Sequence, residues 1–440
     1  MTQRATTIAD AYQACNPDKP LQPDDDRYVD LSASRGMRHI AELITWKIQN
    51  SGTDAQNKRL FTGHRGSGKT TELLRLQREL ERNAFFTIYL DTEKLLDLGN
   101  LSYLDVLVAI AEQTERDLRN KHIPLSNTLL EDLSGWFSDH IVEKTQVSEL
   151  QATVETSAEA GAAIPFFAKL LARITANFKT GSTHRETIRT QLNRNLSVFI
   201  DKLNLLISTA RNAVQQKGFT DLVLIVDGME KMRYELYKDG ESTHSEMFVR
   251  HAEQLCAPEC HIIYTVPVSL PYQRNLMTDF EITVLPMVRL DKEGIASLVQ
   301  IIERRVDTAM LFSGPELVKH LVLASGGAVR DLMHLMRMAM EARTAPLDAA
   351  DAERAVSDLR KIYTRLIRES DLALFQQIAR TRLIQGGDEQ AGRLLDLRLV
   401  LEYQNGDPWA DLHPVVRQIP WVKAALAADT DGADESDDGA

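Results

Sequence analysis

Leu60-Phe61-Thr62-Gly63-His64-Arg65-Gly66-Ser67-Gly68-Lys69-Thr70-Thr71-Glu72-Leu73-Leu74 is the stretch that decides the fold. Leu60 and Phe61 read as the end of a short apolar strand, and the residues from Thr70 onward continue with helical spacing. Between them the glycines let the backbone curl, so that successive N–H groups converge on one anion. The following helix turns its positive dipole end to the same point. Gly63, His64, Arg65, Gly66, Ser67, Gly68, Lys69, Thr70 and Thr71 are thus expected to cradle a polyphosphate. Lys69 reaches the β- and γ-phosphates, and the Thr70 hydroxyl is placed to ligate Mg²⁺. A glycine-rich turn that binds nothing would explain the glycines but not a Lys-Thr pair at the helix entrance. The loop predicts a nucleoside triphosphate and does not specify its base.

At 440 residues the chain can bury a large core in two or three domains, and its 43% hydrophobic content is that of a globular protein. It has no run of eighteen apolar residues and no charged-then-apolar leader pattern, so the expectation is a cytoplasmic protein without a transmembrane segment. Cys15, Cys256 and Cys260 suit a reducing compartment. The Cys256/Cys260 pair beside His261 lacks a second ligand pair and reads as two packed thiols rather than a zinc site. The net charge is −12, but Asp429, Asp431, Asp434, Glu435, Asp437 and Asp438 carry half of it in the terminal tail. The rest is mildly acidic, which removes a general electrostatic argument for nucleic acid and leaves room for a local basic patch.

Along the chain, residues 16–26 are too rich in proline and like charge to form an element, and residues 1–27 are expected to be an extended arm. A nucleotide-binding core is expected over 28–290. Its strands are predicted near residues 60, 86–91, 222–227, 261–266 and 281–285, separated by helical stretches. The fold class is therefore α/β, a mainly parallel five-stranded sheet covered on both faces. Residues 125–215 form a helical insertion. Phe167, Leu170, Leu171, Ile174 and Phe178 mark one amphipathic helix there, and Ile188, Leu192, Leu196, Phe199 and Leu203 mark a longer second one. Lys169 and Arg173 favour a packed helical hairpin over a membrane span. Residues 291–365 read as a helical lid. Residues 366–425, with helices followed by a hairpin across Asn405-Gly406, read as a small winged-helix module. The acidic residues 426–440 are expected to be a disordered tail.

Four residues beyond the loop could do chemistry. Asp227 ends the interior run Leu222-Val223-Leu224-Ile225-Val226, at the strand end where open α/β sheets place ligands, and is expected to hold Mg²⁺ opposite Thr70. Glu230 is the candidate to orient or deprotonate the attacking water. Thr265 could contact the γ-phosphate from the end of the 261–266 strand, although polar strand ends occur equally without such a role. Arg330, after Ser325-Gly326-Gly327-Ala328-Val329, can bind phosphate oxygens with its fork, or else pair on the surface with Asp331 or Glu316.

Taken together, the phosphate loop, Leu224-Ile225-Val226-Asp227-Gly228-Met229-Glu230-Lys231, Leu285-Pro286-Met287-Val288-Arg289-Leu290 and Gly326-Gly327-Ala328-Val329-Arg330-Asp331-Leu332 resemble the AAA+ and STAND branch of P-loop ATPases, origin-recognition-like members above all, over roughly residues 30–345. The resemblance implies ATP and Mg²⁺ as ligands. It implies Walker A roles for Lys69 and Thr70, Walker B roles for Asp227 and Glu230, sensor roles for Thr265 and Arg330, and a winged helix after the lid. Glu230 is followed by Lys231 where STAND proteins carry a second acid, and Gly228 stands where many related ATPases carry the catalytic glutamate. Arg274 lies near the family's arginine-finger position. What the resemblance implies is an ATP-hydrolysing switch or assembly ATPase that self-associates or works with a partner effector, in bacterial signalling or defence against phage. The alternative is an ATP-regulated DNA-binding initiator or loader. Seven basic and eight acidic residues between Arg368 and Lys423 do not favour DNA at the winged helix.

Overall fold

The computed structural model describes residues 3–52, 56–144, 146–151, 166–238, 241–273, 275–385 and 389–434. Five strands, β1 (Lys58–Thr62), β2 (Phe86–Asp91), β3 (Leu222–Asp227), β4 (His261–Val266) and β5 (Glu281–Val284), form a sheet in the order β2-β3-β4-β1-β5. Every pairing is parallel. The expected α/β fold is therefore present. Strand β4 separates β1, which leads into the phosphate loop, from β3, which ends at Asp227.

Alternation along the strands sends side chains into two separate cores, which is why these strands read as continuous apolar runs. Phe61, Val223, Ile225 and Ile263 face α2 (Ile40–Gln49) and α3 (Lys69–Arg82), meeting Ile40, Ile44, Leu73, Leu76 and Leu80. Leu60, Ile88, Leu224, Val226 and Ile262 face the opposite side, toward α4 (Tyr103–Asn120). A capping box of Ser102 and Asp105 starts α4. From Tyr103 to Glu115 it is buried all round because the sheet lies on one side of it and residues 127–216 pack on the other.

The insertion comprises α5 (Asn127–His140), α6 (Phe166–Thr180), α7 (His184–Arg194) and α8 (Leu196–Gln216). The second long helix expected there is broken at Asn195, whose φ of −112° leaves helical geometry. Phe167, Leu170, Leu171, Ile174 and Phe178 are buried in the same core as the sheet. Each such side chain contributes roughly 1.5–3 kcal/mol, so the apolar stripe is spent within the molecule. Among the described residues no helix is long and apolar enough to cross a membrane.

Helices α9 (Lys292–Glu303), α10 (Pro315–Ala324), α11 (Val329–Met340) and α12 (Ala349–Thr364) follow the sheet. Then come α13 (Leu372–Thr381), α14 (Glu389–Asp396), the antiparallel hairpin β6 (Val400–Asn405) and β7 (Asp407–Leu412), and α15 (Pro420–Asp434). Helices α9 to α12 and these C-terminal elements share one core: Leu332, Met336 and Leu359 are buried in the same cluster as Phe375, Leu395 and Val400.

Two expectations for the chain ends need correction. The arm is not wholly extended, because Ile8–Ala14 forms α1, capped by Thr7, whose hydroxyl accepts the Asp10 N–H at 3.2 Å. The proline-rich signal begins only after α1, so it masked a short helix whose Ala11 is fully buried. At the other end α15 runs on to Asp434, into the stretch read as a disordered tail, and residues 435–440 lie outside the described residues.

Candidate functional site

Parallel strands aligned in register place the ends of β1 and β3, and the loops after them, on one edge of the sheet. A cavity of about 370 Å³ opens there, within the usual range for small-molecule sites. Its wall includes Arg65 through Thr71, Asp227, Gly228, Glu230 and Arg330. Gly63, His64 and Thr265 stand behind that wall.

Lys69 is buried, and its ammonium donates to the carbonyls of Gly63 at 2.7 Å and His64 at 3.2 Å. Glu230 Oε1 lies 3.6 Å from it. Burial draws the Lys69 pKa down, and the nearby Glu230 and Asp227 carboxylates oppose that shift. Burial pushes Glu230 up, yet the Lys69 charge and the Thr265 hydroxyl outweigh it and leave the carboxyl below its ordinary range. Asp227 goes the other way. Burial and then the Glu230 charge raise it, against the Tyr89 and Thr70 hydroxyls and Lys69.

The loop after β3 is held from two sides. Thr265 Oγ1 accepts the N–H groups of Gly228 at 2.8 Å and Met229 at 3.1 Å, while the Thr92 hydroxyl donates to the Asp227 carbonyl at 2.8 Å. Thr265 therefore anchors the turn that carries Glu230, and its hydroxyl proton is left for that carboxylate.

Asp227 Oδ1, Glu230 Oε2 and Ser67 Oγ are among the buried side-chain oxygens of the described residues that have no protein hydrogen-bond partner. An unpaired buried polar atom costs about 1–3 kcal/mol, and all three belong to the loops that frame the cavity. With the Thr70 hydroxyl facing Asp227, this set of hard oxygens fits Mg²⁺, which takes few protein ligands and completes its shell with phosphate oxygens and water.

Arg330 reaches the site because the start of α11 lies against the phosphate loop. Its N–H donates to the Gly66 carbonyl at 3.2 Å. Gly66 has φ +81°, and a Cβ there would stand 2.3 Å from the Arg330 Cβ, so only glycine permits this approach. Neither Asp331 nor Glu316 pairs with Arg330. Its guanidinium lies 3.4 Å from Asp18 of the N-terminal arm. Asp331 is buried instead, accepting the Tyr363 hydroxyl at 2.7 Å and the Arg398 guanidinium at 3.1 Å.

The His64 side chain departs most from the expected cradle, since it points away from the cavity into the C-terminal elements. Its Nε2 accepts the Glu402 N–H at 2.9 Å, which fixes the neutral tautomer with Nδ1–H donating to the Leu395 carbonyl at 3.1 Å. Burial pushes its pKa down to about 3. Nearby, Asp396 accepts the Ser269 hydroxyl at 2.8 Å, and burial raises its pKa to about 6. Arg398 also donates to the Arg65 carbonyl at 3.4 Å. Helix α14 and hairpin β6–β7 are thus docked on the back of the phosphate loop.

Sequence reading missed several contributors. Arg35 is fully buried in the cavity wall, donates to the Ser67 carbonyl and lies 3.7 Å from Glu72. Tyr89 donates to Asp227 Oδ2 at 2.7 Å. Neither sits in a local pattern, although a tyrosine two residues before a strand's end, beside an acidic strand end, was a usable signal. Arg274 lies outside the described residues. Cys15 and Cys260 are buried and Cys256 is half-buried, all as free thiols.

No protein-family model and no curated protein matches the chain. Among solved structures, the Orc1 protein of Aeropyrum pernix in complex with DNA is 14% identical, with 94% of this chain and 98% of that one covered and a TM-score of 0.39. Cdc6p of Pyrobaculum aerophilum is 13% identical, with 95% and 98% covered and a TM-score of 0.34.

Proposed function

We propose that the chain binds Mg-ATP in this cavity and hydrolyses it slowly, as a molecular switch or assembly ATPase of the AAA+/STAND kind. The observation that carries this reading is the meeting of Lys69, Thr70, Asp227, Glu230 and Arg330 on one cavity at the ends of β1 and β3. In it the phosphate-loop amides and Lys69 hold the β- and γ-phosphates. Thr70 and Asp227 hold Mg²⁺, which screens the charge gathering on the γ-phosphate. Glu230, kept ionised by Lys69, accepts a proton from the attacking water and aligns it. Thr265 positions Glu230 through the turn it anchors. Arg330 binds the γ-phosphate from the lid side, so the position of α11 reports whether that phosphate is present. The C-terminal elements, read as a winged helix, contact the same loop through His64 and would transmit the change to a partner protein or a second copy.

The test of hydrolysis is Glu230→Gln with single-turnover phosphate release. The variant is expected to bind Mg-ATP as the wild type does and to release phosphate at least about tenfold more slowly. Equal rates would remove Glu230 from the mechanism.

One observation favours a second reading, an ATP-regulated DNA-binding initiator or loader. A groove of about 440 Å³ between α12 and the C-terminal helices is lined by Arg360, Arg417, Gln418, Lys423 and Leu426, without a carboxylate. Arg417 is paired with Asp411, which leaves Arg360 and Lys423 as its cations for a phosphate backbone. Salt-sensitive binding of duplex DNA that disappears in Arg360→Glu/Lys423→Glu would establish this reading; no binding at low salt would sink it.

A further inference from the structure

The N-terminal arm does more than wrap the core. It is pinned at the lid end by Ala5, whose N–H donates to the Arg305 carbonyl and whose carbonyl accepts the Asp307 N–H, both at 2.9 Å. Tyr12 of α1 lies under the Arg337 guanidinium at 4.0 Å. At the other end the Leu21 N–H donates to Thr71 Oγ1 at 3.3 Å, Arg75 donates to the Pro23 carbonyl at 3.2 Å, and Arg75 stacks on Tyr28 at 3.7 Å. Between these anchors the chain crosses the cavity, and residues from Gln13 to Leu21 form part of its wall. In the middle of the crossing Asp18 meets Arg330.

Arg330 is held for phosphate by its place against Gly66, yet its Nε is buried without a partner. Among the described residues Asp18 is the carboxylate within ion-pair distance of its fork. A triphosphate and Asp18 therefore compete for one guanidinium, whereas a diphosphate has no γ group to contest it. We propose that Asp18 is a positioning residue that sets the preference between nucleoside triphosphate and diphosphate: it holds Arg330 when no γ-phosphate is present and must yield it when one is. A ligand shifts such an equilibrium only through its different affinity for the two arrangements, and the γ-phosphate supplies that difference. The proposal rests on the nucleotide reading above and adds a specificity determinant from outside the resemblance to known ATPases.

The test measures dissociation constants for ADP and for a slowly hydrolysed ATP analogue, both with Mg²⁺. The variants are Asp18→Asn, Asp18→Glu, Arg330→Ala and the Asp18→Asn/Arg330→Ala double variant. Because the pair is partly solvated, Asp18→Asn is expected to tighten the triphosphate analogue by about three- to fivefold and to leave ADP within twofold. Asp18→Glu should restore the wild-type ratio, and in the Arg330→Ala background Asp18→Asn should leave the ratio unchanged. A merely structural arm would shift both nucleotides together, so equal shifts, or none, overturn the proposal. Failure of the wild type to bind either nucleotide would overturn the nucleotide reading itself, which is a distinct outcome.

Discussion

Gly66 shows how a single residue fixes the site. Its left-handed φ and the missing side chain let the phosphate loop and α11 touch through the Gly66 carbonyl and the Arg330 N–H. A methyl group there meets the Arg330 Cβ and adds backbone strain. Gly66→Ala is therefore expected to lose about 1–3 kcal/mol of stability and to weaken the triphosphate analogue more than ADP, because Arg330 is pushed off the loop. Thermal melts and paired nucleotide titrations check this; a variant with wild-type melting and an unchanged nucleotide ratio would show that the contact is incidental. Lys69, Thr70 and Asp227 were legible in the sequence because each sits in a local pattern whose backbone geometry dictates the side chain's place. Arg35 and Asp18 were not, because only the folded chain brings them to the cavity, from the turn before α2 and from the arm, and Tyr89, in a strand read as apolar, gave at most a weak signal.

At the scale of elements, the docking of α14 and the β6–β7 hairpin on the phosphate loop carries two titrations of opposite sign. His64 is held neutral, with a folded pKa of about 3 against an unfolded value near 6.5. Its contribution is fully present above about pH 6.5 and is lost as the pH falls toward 3. Asp396 is raised to about 6 against an unfolded value near 3.9. Its contribution is present at low pH and is lost as the pH rises through 6. Between about pH 4 and 6 the two slopes oppose each other. Relative to the wild type, His64→Gln should therefore become less stable as the pH rises across this window, and Asp396→Asn more stable. Melting temperatures at four or five pH values check the signs, and parallel profiles for all three proteins would mean that these groups do not titrate through the docked interface. The five strands and the helices within 291–365 were readable from apolar periodicity and strand spacing. The docking was not, since His64 falls within the loop motif and nothing in the sequence tells which way its ring points. The helix within the arm was hidden by the prolines that follow it.

For the whole molecule, the arm, the sheet edge and α11 line one cavity and the C-terminal elements back its phosphate loop, so occupancy of that cavity can bias how they sit together. The continuous core shared by α9 to α12 and the C-terminal elements means that a shift of α11 is felt at α13 and β6 rather than absorbed by a linker. The acidic net charge opposes nonspecific attraction to nucleic acid and leaves the cationic groove beside α12 as a local exception. The central claim is that this cavity is a Mg-ATP site built around Lys69. The most direct test is calorimetric titration of the full chain with Mg-ATP, wild type beside Lys69→Ala, with circular dichroism confirming that both are folded. The account predicts saturable one-site binding at micromolar or lower concentration for the wild type and a loss of roughly a hundredfold or more for the variant. Absent binding by the wild type, or undiminished binding by a folded Lys69→Ala, would contradict it.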